Sequence, residues 1–183
     1  MKKITLTVLA VLALTFANAQ DAKGTDSAMR FGVKAGYQNT NFAGDADTDA
    51  ASNFYFGGLL DFAITQKFHV QPEVLYSMEG ADNDETNLDF IRIPVMAKFY
   101  VAEGFNIQAG PEVAFVAGGG DFKDSLKSMD FGVGLGAAYE MASGLMFDAR
   151  YNLGLSDLND DTASFGDAKI TTTSFQIGLG YRF

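Results

Sequence analysis

From Met29 to Phe183, apolar and polar side chains alternate with a period of two in eight stretches. That period places alternate residues on opposite faces of a β-strand. In residues 29–39, Phe31, Val33, Ala35 and Tyr37 oppose Arg30, Gly32, Lys34, Gly36 and Gln38. Residues 54–64 set Phe54, Phe56, Leu60, Phe62 and Ile64 against Tyr55, Gly57, Asp61 and Ala63. The cleanest stretch, 68–79, sets Phe68, Val70, Pro72, Val74, Tyr76 and Met78 against His69, Gln71, Glu73, Leu75, Ser77 and Glu79. Stretches 88–101, 105–115, 130–140, 145–154 and 173–183 repeat the pattern. Each is about as long as a tilted membrane strand, roughly 9–11 residues.

The connections alternate in length. Short turns fall at 65–67, 102–104 and 141–144, and long polar loops at 40–53, 80–87, 117–128 and 156–171. Short turns at one end and long loops at the other are the pattern of an outer-membrane barrel. The predicted fold is all-β: an eight-stranded antiparallel up-and-down transmembrane β-barrel over residues 29–183, with both termini at the short-turn end.

Alternation alone also fits a soluble lipocalin-like barrel with its apolar face inward. Three features select the membrane arrangement. Ten glycines (32, 36, 57, 110, 132, 134, 136, 154, 178 and 180) lie on the polar face. There they cost backbone entropy and make sense only in a crowded interior. Aromatics of the apolar face gather near the strand ends. Phe31, Phe62, Phe68, Phe99, Phe105, Tyr139, Phe147, Tyr181 and Phe183 fall toward the short turns; Tyr37, Phe54, Phe56, Tyr76, Phe115, Phe131 and Phe175 fall toward the long loops. Two such rings match the two interfaces of a bilayer.

The third feature is charge. Arg30, Lys34, Arg92, Lys98, Arg150 and Arg182 share the polar face with Asp61, Glu73, Glu79, Glu112, Asp130, Glu140 and Asp148. Pairing of this kind suits a filled interior, because an unpaired buried charge is costly. Hairpin counting predicts Arg92 between Glu73 and Glu112, and Arg150 opposite Gly134. The candidate interior network is Arg30, Lys34, Asp61, Glu73, Arg92, Lys98, Glu112, Asp148, Arg150 and Arg182. Pro72, Pro94 and Pro111 each remove a ladder donor inside a strand, which predicts local bulges or kinks.

The N-terminus reads as an export signal over residues 1–19. Lys2 and Lys3 form a positive start, residues 4–16 an apolar run, and Ala17-Asn18-Ala19 a cleavage site. That run is too short to span a bilayer as a helix. Residues 20–28 then form a short periplasmic segment. With no cysteine in 183 residues there is neither a lipid-attachment site nor a disulfide. The net charge of −10 argues against nucleic acid as a partner.

Chemistry is sparse. His69, the only histidine, lies beside a short turn with no evident nucleophile and reads as an interior hydrogen-bonding residue. Asp45, Asp47 and Asp49, with Asp82, Asp84 and Glu85, could gather oxygens around a divalent cation, or share one with lipopolysaccharide phosphates. Both groups lack the glycine and distal glutamate of an EF-hand loop and read first as solvated acidic loops. Gly118-Gly119-Gly120 lacks the lysine and hydroxyl of a phosphate loop and reads as flexibility. No cofactor and no catalytic residue are called for.

Six stretches carry a family resemblance: Phe31-Gly-Val-Lys-Ala-Gly-Tyr37, Val70-Gln-Pro-Glu-Val-Leu-Tyr76, Ile91-Arg-Ile-Pro-Val-Met-Ala-Lys98, Gln108-Ala-Gly-Pro111, Asp130-Phe-Gly-Val-Gly134 and Ala149-Arg-Tyr-Asn-Leu-Gly-Leu155. In this order the chain resembles the PorT-like, or porin-family, outer-membrane β-barrel domain proteins of Bacteroidetes-type bacteria, eight-stranded like the OmpX and OmpA barrels. The family's proline positions fit the three prolines here. The ending Gly178-Leu-Gly-Tyr-Arg-Phe183 looks like the signal read by the barrel-assembly machinery, through Tyr181 and Phe183. The resemblance implies outer-membrane location and little about activity; one member class is associated with protein secretion. The partners expected are outer-membrane lipid and lipopolysaccharide, the assembly machinery during biogenesis, and surface or secretion proteins. The leading functional expectation is a non-enzymatic barrel acting structurally or through acidic extracellular loops. The alternative is a narrow porin-like channel or an accessory of a protein-secretion assembly.

Overall fold

The computed structural model describes residues 29–44, 51–79, 88–119, 129–156 and 170–183. The export signal, the 20–28 segment and the six loop carboxylates proposed for a cation lie outside them. Eight strands form: β1 (Met29–Gly44), β2 (Ala51–Ala63), β3 (Phe68–Glu79), β4 (Leu88–Tyr100), β5 (Phe105–Gly119), β6 (Met129–Glu140), β7 (Leu145–Gly154) and β8 (Ile170–Arg182). Each pairs antiparallel with its sequence neighbours, and β1 pairs with β8 to close the barrel. The short turns occupy 64–67, 101–104 and 141–144. Gly104 and Gly144 adopt positive φ (72° and 93°), where a side chain would be strained. Each then passes its carbonyl to the next strand, Gly104 O to Glu140 N and Gly144 O to Arg182 N, both at 2.8 Å.

The barrel is apolar side out. Leu135 (53%) and Ile177 (55%) are open to the surroundings, whereas Lys98 and Arg150, each 1% exposed, are sealed inside. The aromatics form paired contacts near both strand ends. Phe105, Tyr139 and Phe147 stand in one cross-strand row near the short turns. Tyr37 meets Phe54 edge-on at 5.9 Å and Phe56 meets Tyr76 at 5.5 Å toward the other end. Phe183 stacks on Phe31 at 4.7 Å and meets Tyr181 at 5.0 Å, so Tyr181 and Phe183 both finish in the short-turn ring.

Two expectations are corrected. Strand pairing runs past the apolar alternation: Asn39 pairs with Ser52, Thr40 with Ala51, and Asn41 with Thr173. Residues read as loop therefore belong to β1, β2, β5 and β8, because backbone pairing continues after the side chains stop facing lipid. Gly118 and Gly119 of the glycine run likewise end β5, and Gly118 lies against the Asp89 side chain. Second, no bulge occurs at the prolines. Ladder pairs are missing around Pro72, Pro94 and Pro111, yet the register is the same on both sides of each gap. A proline deletes one donor but leaves the two-residue period intact. The register shift lies instead at Asp89/Phe90.

The interior glycines receive side chains from other strands. Gly36 and Gly178 are cross-strand partners. A Cβ on Gly36 would sit 2.7 Å from the Tyr55 ring, and one on Gly178 would meet the Tyr55 hydroxyl and, at 2.6 Å, Asp148 Oδ1. Gly32 accepts Leu59, Gly180 accepts Met146, and Gly134 lies beside Met96. Gly178→Val should therefore displace Tyr55 and lower stability by about 1–3 kcal/mol, the usual cost of overpacking. Ala35→Val adds comparable bulk on the exposed outer face and should stay within about 0.5 kcal/mol. Urea unfolding in lipid vesicles checks both.

Candidate functional site

Hydrocarbon outside leaves the lumen as the place where polar chemistry can concentrate, and the inward residues form three tiers. The middle tier centres on Glu73 of β3. Arg150 of β7 reaches across the barrel to donate to both its oxygens, at 3.0 and 2.7 Å, and to Gln108 Oε1 at 3.1 Å. Lys34 of β1 donates to Asp148 Oδ2 at 2.9 Å and lies 3.6 Å from Glu73 Oε2. All five residues are buried. A bidentate guanidinium–carboxylate pair supported by further donors is the arrangement that makes buried charge tolerable.

The tier at the short-turn end centres on Lys98 of β4. Its ammonium donates to Asp61 Oδ2 at 2.8 Å, to Gln71 Oε1 at 2.9 Å and to Glu140. Arg182 of β8 joins Glu140 at 2.6 Å and Asp61 at 3.3 Å. Tyr100 donates to Glu140 at 2.8 Å, and His69 Nδ1 lies 2.5 Å from Asp61 Oδ1. Gln71 links the two tiers, accepting from Lys98 and donating to Glu73 at 2.8 Å.

The tier toward the long loops is less charged. Arg92 donates to Glu112 at 2.5 Å, with its guanidinium over the Phe90 ring. Gln38 donates to Ser77 at 2.5 Å and to Met78 O at 3.1 Å, and accepts from Gln176 at 3.1 Å. Asn152 donates to Ser174 and Thr172 to Asp130.

Nine of the ten sequence-predicted network residues thus meet charged partners inside the lumen. Arg30 does not. It is exposed at the short-turn end and joins no ion pair among the described residues. Its cross-strand partner Asp61 already faces Lys98, His69 and Arg182. Hairpin counting placed two residues wrongly by two positions. Arg92 lies opposite Leu75 and Ala114 and pairs with Glu112, while Glu73 goes to Arg150. Arg150 lies opposite Gly136, not Gly134. The Met141 N–H binds Leu145 O, so the hairpin closes with Glu140 opposite Met146. An even offset keeps every face right while moving every pairing. Glu140, Gln71 and Gln108 were not singled out for the network, although the alternation put all three on the inner face.

His69 bonds Asp61 and packs against Tyr100, ring centroids 4.7 Å apart; no hydroxyl or thiol nucleophile bonds its ring among the described residues. No group of three or more His, Cys, Asp or Glu side chains that could hold a metal ion occurs among the described residues.

Glu73→Ala should cost about 3–5 kcal/mol, since it leaves Arg150 and Lys34 buried without their shared carboxylate. Urea unfolding of the reconstituted barrel measures this; a change under about 1 kcal/mol, typical of exposed pairs, would contradict the central place given to Glu73.

Comparison with known proteins gives a consistent picture of the fold. A family model described as outer membrane protein beta-barrel domain matches residues 7–183. Among solved structures, the chain is similar to Ail, the attachment invasion locus protein of Yersinia pestis, at 14% identity and a TM-score of 0.53, covering 84% of this chain and 98% of that one. It is similar to Neisserial surface protein A at 16% identity and a TM-score of 0.54, covering 84% and 97%. A de novo designed transmembrane β-barrel matches at 12% identity and a TM-score of 0.50, covering 84% and 95%. No curated protein matches in sequence.

Proposed function

The chain belongs to the outer membrane protein beta-barrel domain family, and on that premise we propose that it is a non-enzymatic barrel with a closed lumen, acting structurally or as a surface-interaction protein through its extracellular loops. The observation that carries this reading is the Glu73–Arg150–Lys34–Asp148 cluster. It brings side chains of β1, β3 and β7 together across the lumen, each at most 5% exposed. An eight-stranded barrel is wide enough only to be filled by side chains, and here it is filled by ion pairs that are costly to break.

Whatever the protein does for the cell then falls to its rim. The segments 45–50, 80–87, 120–128 and 157–169 carry twelve acidic residues against three lysines. That balance disfavours polyanionic partners and favours cationic ones. It also keeps open the shared-cation contact with lipopolysaccharide phosphate through Asp45, Asp47, Asp49, Asp82, Asp84 and Glu85. The finer PorT-like identity goes with the second reading, an accessory of a secretion assembly.

Reconstituted protein should give no stable, reproducible unitary currents in planar bilayers. Such currents would overturn the closed-lumen reading in favour of a channel. Purification from native outer membranes should yield the barrel alone; stoichiometric secretion proteins in the same fraction would favour the accessory role.

A further inference from the structure

Several buried polar atoms in the lumen have no hydrogen-bond partner within the protein, and four of them sort into two donor–acceptor pairs. The first pair is Arg150 Nε and Gln176 Oε1. These residues are direct cross-strand partners on β7 and β8, exposed by 1% and 0%. The orientation of Gln176 follows from its neighbours. Met78 O can only accept, so the amide nitrogen of Gln38 faces it and the Gln38 oxygen accepts from Gln176 Nε2. That leaves Gln176 Oε1 turned away from Gln38 as an acceptor with no protein donor. Arg150 meanwhile directs three N–H groups of its terminal nitrogens to Glu73 and Gln108, and its Nε–H has no protein acceptor.

The second pair is Tyr55 Oη and Asp148 Oδ1. Tyr55, Gly36, Gly178 and Asp148 form one cross-strand row over β2, β1, β8 and β7. The two glycines leave a recess that the phenol enters from one side and the carboxylate from the other. Both atoms lie against the position a Gly178 Cβ would occupy. The other carboxylate oxygen of Asp148 is held by Lys34.

We infer that the barrel binds two water molecules, one between Arg150 Nε and Gln176 Oε1 and one between Tyr55 Oη and Asp148 Oδ1. Burying a polar group without a hydrogen bond is unfavourable, and a buried water is stable where it finds two to four polar partners. Each site offers one donor and one acceptor, which water satisfies by accepting from one and donating to the other. A metal cation can take the acceptor only, and beside the Arg150 guanidinium it would be repelled. The first water also completes a path. From His69 and Asp61 the hydrogen bonds run through Lys98, Gln71, Glu73 and Arg150, then through water to Gln176, Gln38 and the Met78 carbonyl. A single water thus joins the hydrogen bonds of the short-turn end to those toward the long loops.

Water-edited solid-state NMR of the full barrel in lipid bilayers tests this. Wild type should show magnetisation transfer from water to the Arg150 Nε–H and to the Tyr55 hydroxyl. Gln176→Met, which keeps the volume and removes the acceptor, should lose the transfer at Arg150 and keep it at Tyr55. Tyr55→Phe should keep the transfer at Arg150. Absence of transfer at either group in wild type overturns the inference for that site, as does a direct Arg150–Gln176 or Tyr55–Asp148 hydrogen bond or a rubidium ion taken up at that position. The wild-type measurement decides the matter even where a variant does not fold.

Discussion

Lipid cannot hydrogen-bond a peptide group, and the rest of this structure follows from that constraint. Every strand in hydrocarbon must be paired on both edges, so β1 must find β8. Closure with eight strands fixes a lumen too narrow to stand open and too wide to stay empty. Side chains must fill it, and they are the polar ones, because the apolar set is drawn outward to lipid. Closure therefore brings buried charge with it, and buried charge requires the pairing seen around Glu73 and Lys98.

The interior solves this requirement in an uneven way. Glycines are concentrated on β6, β8 and β1, while bulky groups such as Tyr55, Leu59, Met96 and Lys98 project from β2 and β4. The glycines make room both for these groups and for Arg150 and Met146 of β7, which lies between β6 and β8. Charge is kept close to balance by the same crowding. The buried or half-buried lumen residues include Lys34, Arg92, Lys98, Arg150 and Arg182 against Asp61, Glu73, Glu112, Asp130, Glu140 and Asp148. Asp61, Glu73 and Glu140 each serve more than one donor, which lets a small lumen hold many ions without large imbalance.

What could be read from the sequence follows from which interactions are local. The faces were legible because a two-residue period needs no knowledge of the partner strand; β3 and β7 were placed to the residue. Inward glycines and outward aromatics fixed the sense of the barrel for the same reason. Pairing across the lumen was not legible. It depends on the offset between hairpins, and an error of two residues sent Glu73 to Arg92 instead of Arg150. Strand ends were misjudged where Thr40, Asn41 and Ser52 continue the ladder with polar side chains. Apolar alternation marks where lipid ends, not where pairing ends. The prolines misled in the opposite direction: a lost donor interrupts the ladder around Pro72, Pro94 and Pro111 but gives the chain no extra residue, and a bulge requires one.

The extension of the ladder beyond the apolar belt bears on function. If the long loops served only to join strands, pairing could stop with the last lipid-facing aromatic. On β1 it continues past Tyr37 to Gly44, and β8 meets it from Ile170. Asn39, Asn41, Thr171 and Thr173, on the outward face there, are polar. They carry the paired wall of β1 and β8 beyond their last outward aromatics, Tyr37 and Phe175. Ion pairs that fill the lumen and a wall paired beyond the lipid-facing aromatics both support the proposal that this barrel works through its outer rim rather than its bore.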